Sequence, residues 1–175
     1  RRWTAMLVPL IVVLLAQCWT FGVMVSLGIK FTVVSGALLT VILAIGVADS
    51  IHVLAEFFQH TRSGLSRAEA AIESTSELLV PCFFTSVTTV AGMLALLSSD
   101  LGPIREFGLM AAFGVTTAFV LSMSLGPILL LFVRAPTASD EWTQRGDPLA
   151  RFLSAVAGLS INHSKLVLAI SVLLL

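Results

Sequence analysis

Long runs of apolar residues, separated by shorter polar segments, dominate this sequence. A helix needs about 20 apolar residues to cross the roughly 30 Å hydrocarbon core of a bilayer. Four runs reach or approach that length, at residues 3–27, 31–57, 81–98 and 104–133, and a further run begins at residue 166. No segment has the alternating pattern of a membrane β-strand. The pattern therefore predicts an all-α fold, a polytopic bundle of transmembrane helices.

The polar connections between these runs differ in length. Residues 28–30 and 99–103 are short enough for tight turns, whereas residues 59–79 and 134–165 are longer. If the longer segments and the N-terminus share one side of the membrane, eight of the ten basic residues lie there. Basic residues accumulate on the cytoplasmic side, so we predict that this side is cytoplasmic. We expect a multi-pass protein of the cell membrane, most simply the cytoplasmic membrane of a bacterium.

The first long connection contains a helix signal. Ser66 and Glu69 have the spacing of a capping box, in which each residue hydrogen-bonds the backbone N–H of the other. This spacing predicts a helical loop at residues 59–79, with the helix running towards Pro81.

The second long connection, residues 134–165, is predicted to be a cytoplasmic linker. Apolar residues recur there at helical spacing and predict an amphipathic helix at about 148–160. This helix either lies on the inner leaflet or forms a small soluble linker helix. The chain is thus divided into four spans at 1–133, the linker, and the start of a further span at 166–175.

Composition supports a membrane protein and excludes other classes. Apolar residues make up 57% of the chain, charged residues 11%, the mean hydropathy is +1.02 and the formal net charge is zero. No soluble domain of this length needs so much apolar surface, and no excess positive charge favours nucleic acid. Cys18 and Cys82 lack metal-binding spacing and are expected to be buried packing residues, not a disulfide. Because the chain starts at Arg1 without methionine and stops inside an apolar run, we expect a fragment of a longer protein.

The most informative residue is Asp49, which lies about a turn past the middle of the run 31–57. A charged Asp at such depth costs about 2.5–3.5 kcal/mol on insertion scales. His52 follows at i+3 and Glu56 at i+7, so the three side chains share one helix face and outline a proton path. The structural alternative is a protonated Asp49 that hydrogen-bonds a neighbouring helix. Glu56 is better explained as an interfacial anchor.

The third and fourth apolar runs carry small and hydroxyl side chains at helical spacing. Thr85, Thr88 and Thr89 lie on one predicted face, which as a group could solvate Asp49. For each threonine alone, ordinary helix packing is the better explanation. In the fourth run, Gly108 and its neighbouring small residues predict close helix contact.

Four passages in this order resemble the resistance-nodulation-division (RND) transporter superfamily, specifically its MMPL-like branch, whose membrane domain is related to the sterol-sensing domain. They are LAIGVADSIH at 43–52, TSVTTVAG at 85–92, PIREFG at 103–108 and the Gly126-Pro127 pair. The resemblance implies twelve spans in two similar halves, with a large extracytoplasmic domain after the first span of each half. The complete spans here then correspond to the third to sixth. The partners expected from the same chain are the missing second half and the extracytoplasmic domains, and a homo-oligomer is also allowed.

The resemblance also implies a mechanism. Asp49 matches the fourth-span acid that takes up and releases protons, which couples the proton gradient to export of hydrophobic or amphiphilic molecules, lipids or drugs. No cofactor is implied beyond the gradient itself. Relatives have Asp-Tyr or Asp-Asp at this point, whereas Ser50 follows Asp49 here. The predicted proton relay is therefore Asp49 with Ser50 and His52, supported by Thr85, Thr88 and Thr89.

Two other classes of function compete with transport as interpretations of this sequence. A sterol-sensing-domain-like module would bind a lipid and regulate a partner, without needing an ionisable Asp49. An intramembrane aspartyl protease needs two aspartates that share a proton, and the spans hold one. His52 and Glu56 at i+4 lack a clustered third ligand in sequence, so no metal site is predicted. The sequence thus predicts a secondary transporter and not an enzyme.

Overall fold

The computed structural model of the chain describes residues 3–133. They form four long helices, α1 (Trp3–Ser26), α2 (Val33–Arg62), α3 (Arg67–Ala95) and α4 (Gly102–Phe132), and a one-turn 3-10 helix, Leu96–Ser98. Each long helix contains a segment long and apolar enough to cross a membrane. The described residues contain no β-strand. The predicted all-α transmembrane bundle is therefore confirmed, and the protein is a multi-pass membrane protein in contact with the lipid bilayer.

Helices α2 and α3 extend beyond the apolar runs that predict them. With 30 residues, α2 is about 45 Å long at a rise of about 1.5 Å per residue, which exceeds the roughly 30 Å hydrocarbon core. The sequence predicts a helical loop at residues 59–79, with a helix that runs from Ser66 towards Pro81. In the structure this helix is the first part of α3, and only residues 63–66 of the segment lie outside α2 and α3. The segment is rich in alanine and glutamate, which favour helix, so polarity ends the apolar run without ending the helix.

The connection between α2 and α3 is a tight turn fixed by the capping box. Glu69 Oε2 accepts a hydrogen bond from the Ser66 backbone N–H at 3.0 Å, and Ser66 Oγ accepts one from the Glu69 N–H at 3.4 Å. Gly64 in the turn has φ +98°, a conformation that glycine adopts without steric cost. Pro81 lies inside α3, which continues through it although proline removes one backbone donor.

Helix α4 is the centre of the bundle, because it packs against α1, α2 and α3, whereas α1 and α3 do not meet within the described residues. Small residues permit this packing. A Cβ added at Gly108 would lie 2.6 Å from the Met93 carbonyl oxygen of α3, and one added at Gly114 would lie 2.5 Å from Ile42 Cδ1 of α2. These two glycines therefore allow α4 to approach α3 and α2 closely, as small residues do in membrane bundles.

The linker at 134–165, its amphipathic helix at 148–160 and the start of a span at 166–175 lie outside the described residues. They stay predictions from the sequence.

Candidate functional site

A cavity of about 450 Å³ lies between α2 and α3. One face of each helix lines the cavity, because the lining residues recur at helical spacing. The α2 side consists of Ala44, Ile45, Ala48, Asp49 and His52, and the α3 side of Leu78, Pro81, Cys82, Thr85, Ser86 and Thr89. The packing of α3 on α2 thus brings together the helix that carries the predicted relay and the helix that carries the predicted supporting threonines.

Asp49 is the single acidic side chain that lines this cavity. It is only 6% exposed, and its Oδ2 has no hydrogen-bond partner among the described residues. The Cys82 thiol of α3 lies beside the carboxyl group. A buried polar atom without a partner costs about 1–3 kcal/mol, so its presence at a cavity wall calls for an explanation beyond packing. A water molecule or a ligand group in the cavity would provide a hydrogen-bond partner, and protonation would lower the cost of burial by removing the charge.

Ser86 provides a second buried polar atom without a partner at the same cavity. Its side chain is 5% exposed, and its Oγ makes no hydrogen bond within the described part of the chain. The sequence predicts no role for Ser86, and it predicts Cys82 to be a buried packing residue. The signal that identifies both is their i, i+4 spacing, which continues at i+7 to Thr89 and defines the face of α3 that meets Asp49.

The three predicted supporting threonines separate in the structure. Thr85 and Thr89 line the cavity, whereas Thr88 is exposed and does not line it. All three hydroxyls donate to carbonyl oxygens of their own helix: Thr85 to Cys82 at 3.0 Å, Thr88 to Phe84 at 3.0 Å and Thr89 to Thr85 at 2.7 Å. Their hydroxyl protons are therefore already used, and what they offer the cavity is acceptor capacity.

Ser50 lies on a different face of α2 from Asp49 and does not line the cavity. Its Oγ lies 3.0 Å from Ser122 Oγ of α4, and the two residues are 3% and 1% exposed. One hydroxyl donates to the other in this pair, so both polar groups are satisfied inside the bundle. The structure therefore brings Asp49 and His52 together at the cavity and directs Ser50 to α4.

His52 occupies the exposed end of the cavity lining. It is the i+3 neighbour of Asp49 and shares the cavity face of α2. His52 is exposed, whereas Asp49 is buried. An imidazole can both accept and donate a proton near neutral pH. Together the two side chains form a buried acid with an exposed titratable neighbour, an arrangement that could move a proton into and out of the bundle.

The sequence is similar to one protein-family model and to several membrane proteins. A family model described as the sterol-sensing domain of SREBP cleavage-activation matches residues 1–139. A predicted membrane protein of Methanocaldococcus jannaschii, MJ1562, is 28% identical over 75% of this chain and 34% of its own length. Multidrug resistance protein MdtC of Salmonella paratyphi B is 27% identical over 95% of this chain and 17% of its own length. MdtC of Escherichia coli gives the same identity and coverage.

These matches confirm the resemblance to the RND superfamily with a membrane domain related to the sterol-sensing domain. The chain spans about a third or less of the length of these relatives. No solved structure matches the chain significantly.

Proposed function

This chain belongs to the sterol-sensing domain family, and from that premise we propose that it is part of the membrane domain of an RND-type secondary transporter. The transporter uses the proton gradient to export hydrophobic or amphiphilic molecules, with Asp49 as the group that carries the proton. The likeness to a multidrug resistance protein supports transport over enzymatic chemistry. The remainder of the parent protein supplies the substrate route.

The observation that carries this proposal is the unpartnered Oδ2 of Asp49 at the wall of the 450 Å³ cavity. A carboxyl group buried only to hold helices together would be expected to use its hydrogen-bonding capacity on a neighbouring helix. Here Oδ2 makes no hydrogen bond within the described residues, although the Cys82 thiol of α3 lies beside the carboxyl group. Ionisable side chains within membrane spans are rare and mark proton or substrate pathways.

Protonation of Asp49 would change the shape of the cavity, because the cavity lies where α2 packs against α3. A charged carboxylate requires hydrogen-bond donors or water, whereas a neutral carboxyl group tolerates an apolar wall. The cavity lining offers mainly apolar atoms and threonines that already donate within α3, so the only other polar groups at its wall are the Ser86 hydroxyl, the Cys82 thiol and His52 among the described residues. The charged state therefore favours a wetter, wider cavity and the neutral state a closed one, and a proton gradient would drive the change between them.

His52 and Ser50 receive different roles in this proposal. His52 exchanges protons between Asp49 and the aqueous side, since it is exposed and shares the cavity. Ser50 holds α2 against α4 through Ser122 and carries no proton. Thr85 and Thr89 accept hydrogen bonds from water or substrate inside the cavity.

The test is gradient-driven substrate efflux by the full-length protein in proteoliposomes. Asp49→Asn keeps the shape of the side chain but cannot ionise, and it is expected to abolish efflux. Asp100→Asn makes the same chemical change at an exposed residue outside the helices and is expected to leave efflux unchanged. Efflux by Asp49→Asn at the wild-type rate, with equal amounts of folded protein, would refute the proton-carrying role.

A second candidate function is lipid sensing, which the family match and the apolar character of the cavity favour. The volume of about 450 Å³ falls within the range of small-molecule pockets, about 300–1,000 Å³. This function requires lipid binding at the cavity but no ionisable Asp49. Photocrosslinking of a sterol or fatty-acyl probe at Ala48 or Leu78, retained in Asp49→Asn without any efflux by wild type, would support sensing over transport.

A further inference from the structure

A second group of titratable side chains lies between the C-terminal part of α2 and α3, and none of its members lines the cavity. Glu56 and His60 of α2 and Glu77 of α3 bring their ligand atoms within 4.8 Å of one another. His60 Nε2 lies 3.1 Å from Glu77 Oε2 and 4.0 Å from Glu56 Oε1. Sequence spacing did not reveal this group, because Glu77 comes from the other helix.

The charges in this group are unbalanced. Two carboxylates converge on one imidazole, and no Arg or Lys lies within 4.0 Å of either carboxylate in the described part of the chain. Like charges held close together repel unless a cation lies between them. The imidazole supplies a nitrogen ligand, and the two carboxylates supply oxygen ligands and negative charge. This donor set suits a divalent first-row metal ion.

The distances fit such an ion with small side-chain movements. Zinc bonds of about 2.0–2.1 Å in a tetrahedral site place the ligand atoms roughly 3.3 Å apart. The observed 3.1 and 4.0 Å separations from His60 bracket that value. Glu77 is the most exposed of the three, with a side chain 47% accessible. It can therefore adjust to the ion, and the ion can reach the group from water.

The surrounding structure holds the ligands in place before any ion binds. Glu56 and His60 are four residues apart on α2 and so share one face. Gln59 Nε2 donates to Glu56 Oε1 at 3.0 Å, which orients that carboxylate as outer partners orient metal ligands. The capping box at Ser66 and the tight turn before it fix α3 next to α2, so Glu77 is presented opposite His60.

We propose that Glu56, His60 and Glu77 bind a divalent transition-metal ion, for which Zn²⁺ is the probe, and that the ion fastens the C-terminal part of α2 to α3. Three protein ligands leave one coordination position for water. The group begins seven residues beyond Asp49, about 10 Å along α2, so loss of metal binding and loss of proton coupling are separate outcomes.

The experiment is a Zn²⁺ titration by calorimetry on the full-length protein, purified in detergent without a polyhistidine tag, with Co²⁺ absorption as a second readout. Wild type is expected to bind one Zn²⁺ ion per chain. Its Co²⁺ complex is expected to have the absorption spectrum of a mixed nitrogen and oxygen donor set. Glu77→Gln and His60→Gln are expected to raise the Kd at least tenfold. Glu73→Gln removes the same charge from an exposed position one turn earlier in α3 and is expected to leave the Kd within twofold.

Thermal unfolding of the same proteins provides a check on folding. Zn²⁺ should raise the melting temperature of wild type and Glu73→Gln but not of Glu77→Gln, while all three melt alike in a chelator. Absence of saturable Zn²⁺ binding to wild type would overturn the proposal and leave an imidazole paired with carboxylates. Equal affinity in wild type, Glu77→Gln and His60→Gln would overturn it as well, because the ion would then bind elsewhere.

Discussion

The contact between α3 and α4 at Gly108 yields a quantitative prediction for Gly108→Ala. The added Cβ would lie 2.6 Å from the Met93 carbonyl oxygen and 2.8 Å from Leu96 Cβ. The Met93 oxygen belongs to the backbone, and Leu96 Cβ is bonded directly to the backbone, so neither atom can rotate away. To reach an ordinary contact of 3.4 Å, the helices must separate by roughly 0.8 Å, and a gap of that size forfeits a quarter to a half of each neighbouring dispersion contact.

Overpacking of this kind lowers the free energy of unfolding by about 1–3 kcal/mol. The better helix propensity of alanine offsets at most about 1 kcal/mol of this loss. We therefore expect Gly108→Ala to destabilise the bundle by about 1–2 kcal/mol. Gly92→Ala is the matched control, because a Cβ there meets no atom within 4 Å, and it should leave stability unchanged or slightly higher. The assay is unfolding by SDS in mixed micelles, followed by circular dichroism.

A Gly108→Ala variant as stable as Gly92→Ala would refute the close approach of α3 to α4. The orientation of α3 that directs Ser86 and Cys82 towards Asp49 would then depend on the packing of α3 against α2 alone.

Two other predictions concern hydrogen bonds that fix the helices. Ser66→Ala removes the N-cap of α3 and should lower stability by about 1 kcal/mol, whereas Ser76→Ala on the same helix should have little effect; equal effects in the same unfolding assay would contradict the role of the cap. Ser50→Ala leaves Ser122 unpaired and should cost about 1–3 kcal/mol, part of which the double variant with Ser122→Ala should recover. Efflux by Ser50→Ala should stay dependent on the proton gradient, and loss of that dependence would return Ser50 to the relay.

The number of helices and their membrane character follow from the sequence, because apolar runs of this length have few alternatives to spanning a bilayer. The start of α3 is also predictable, because Ser66 and Glu69 form a capping box that is visible in the local sequence. The ends of α2 and α3 are not predicted by hydropathy. Between residues 59 and 79 the apolar character stops, but helix continues on both sides of the turn at 63–66.

The site is predictable only in part, for a geometric reason. The position of Asp49 within a span is visible in sequence, but the face of α3 that it meets depends on how α3 rotates against α4. That rotation selects Ser86 and Cys82 and leaves Thr88 outside the cavity. Contacts between distant positions, such as Ser50 with Ser122 and His60 with Glu77, likewise depend on helix packing and have no local signature.

The central claim is that Asp49 carries the proton, and infrared difference spectroscopy of the full-length protein in lipid tests it most directly. Of the carboxyl C=O bands that appear on protonation between high and low pH, one should have the frequency of a buried carboxyl group in both wild type and Asp100→Asn. The account predicts that this band is missing from Asp49→Asn. An identical band in Asp49→Asn would assign the titrating group to another residue and contradict the account.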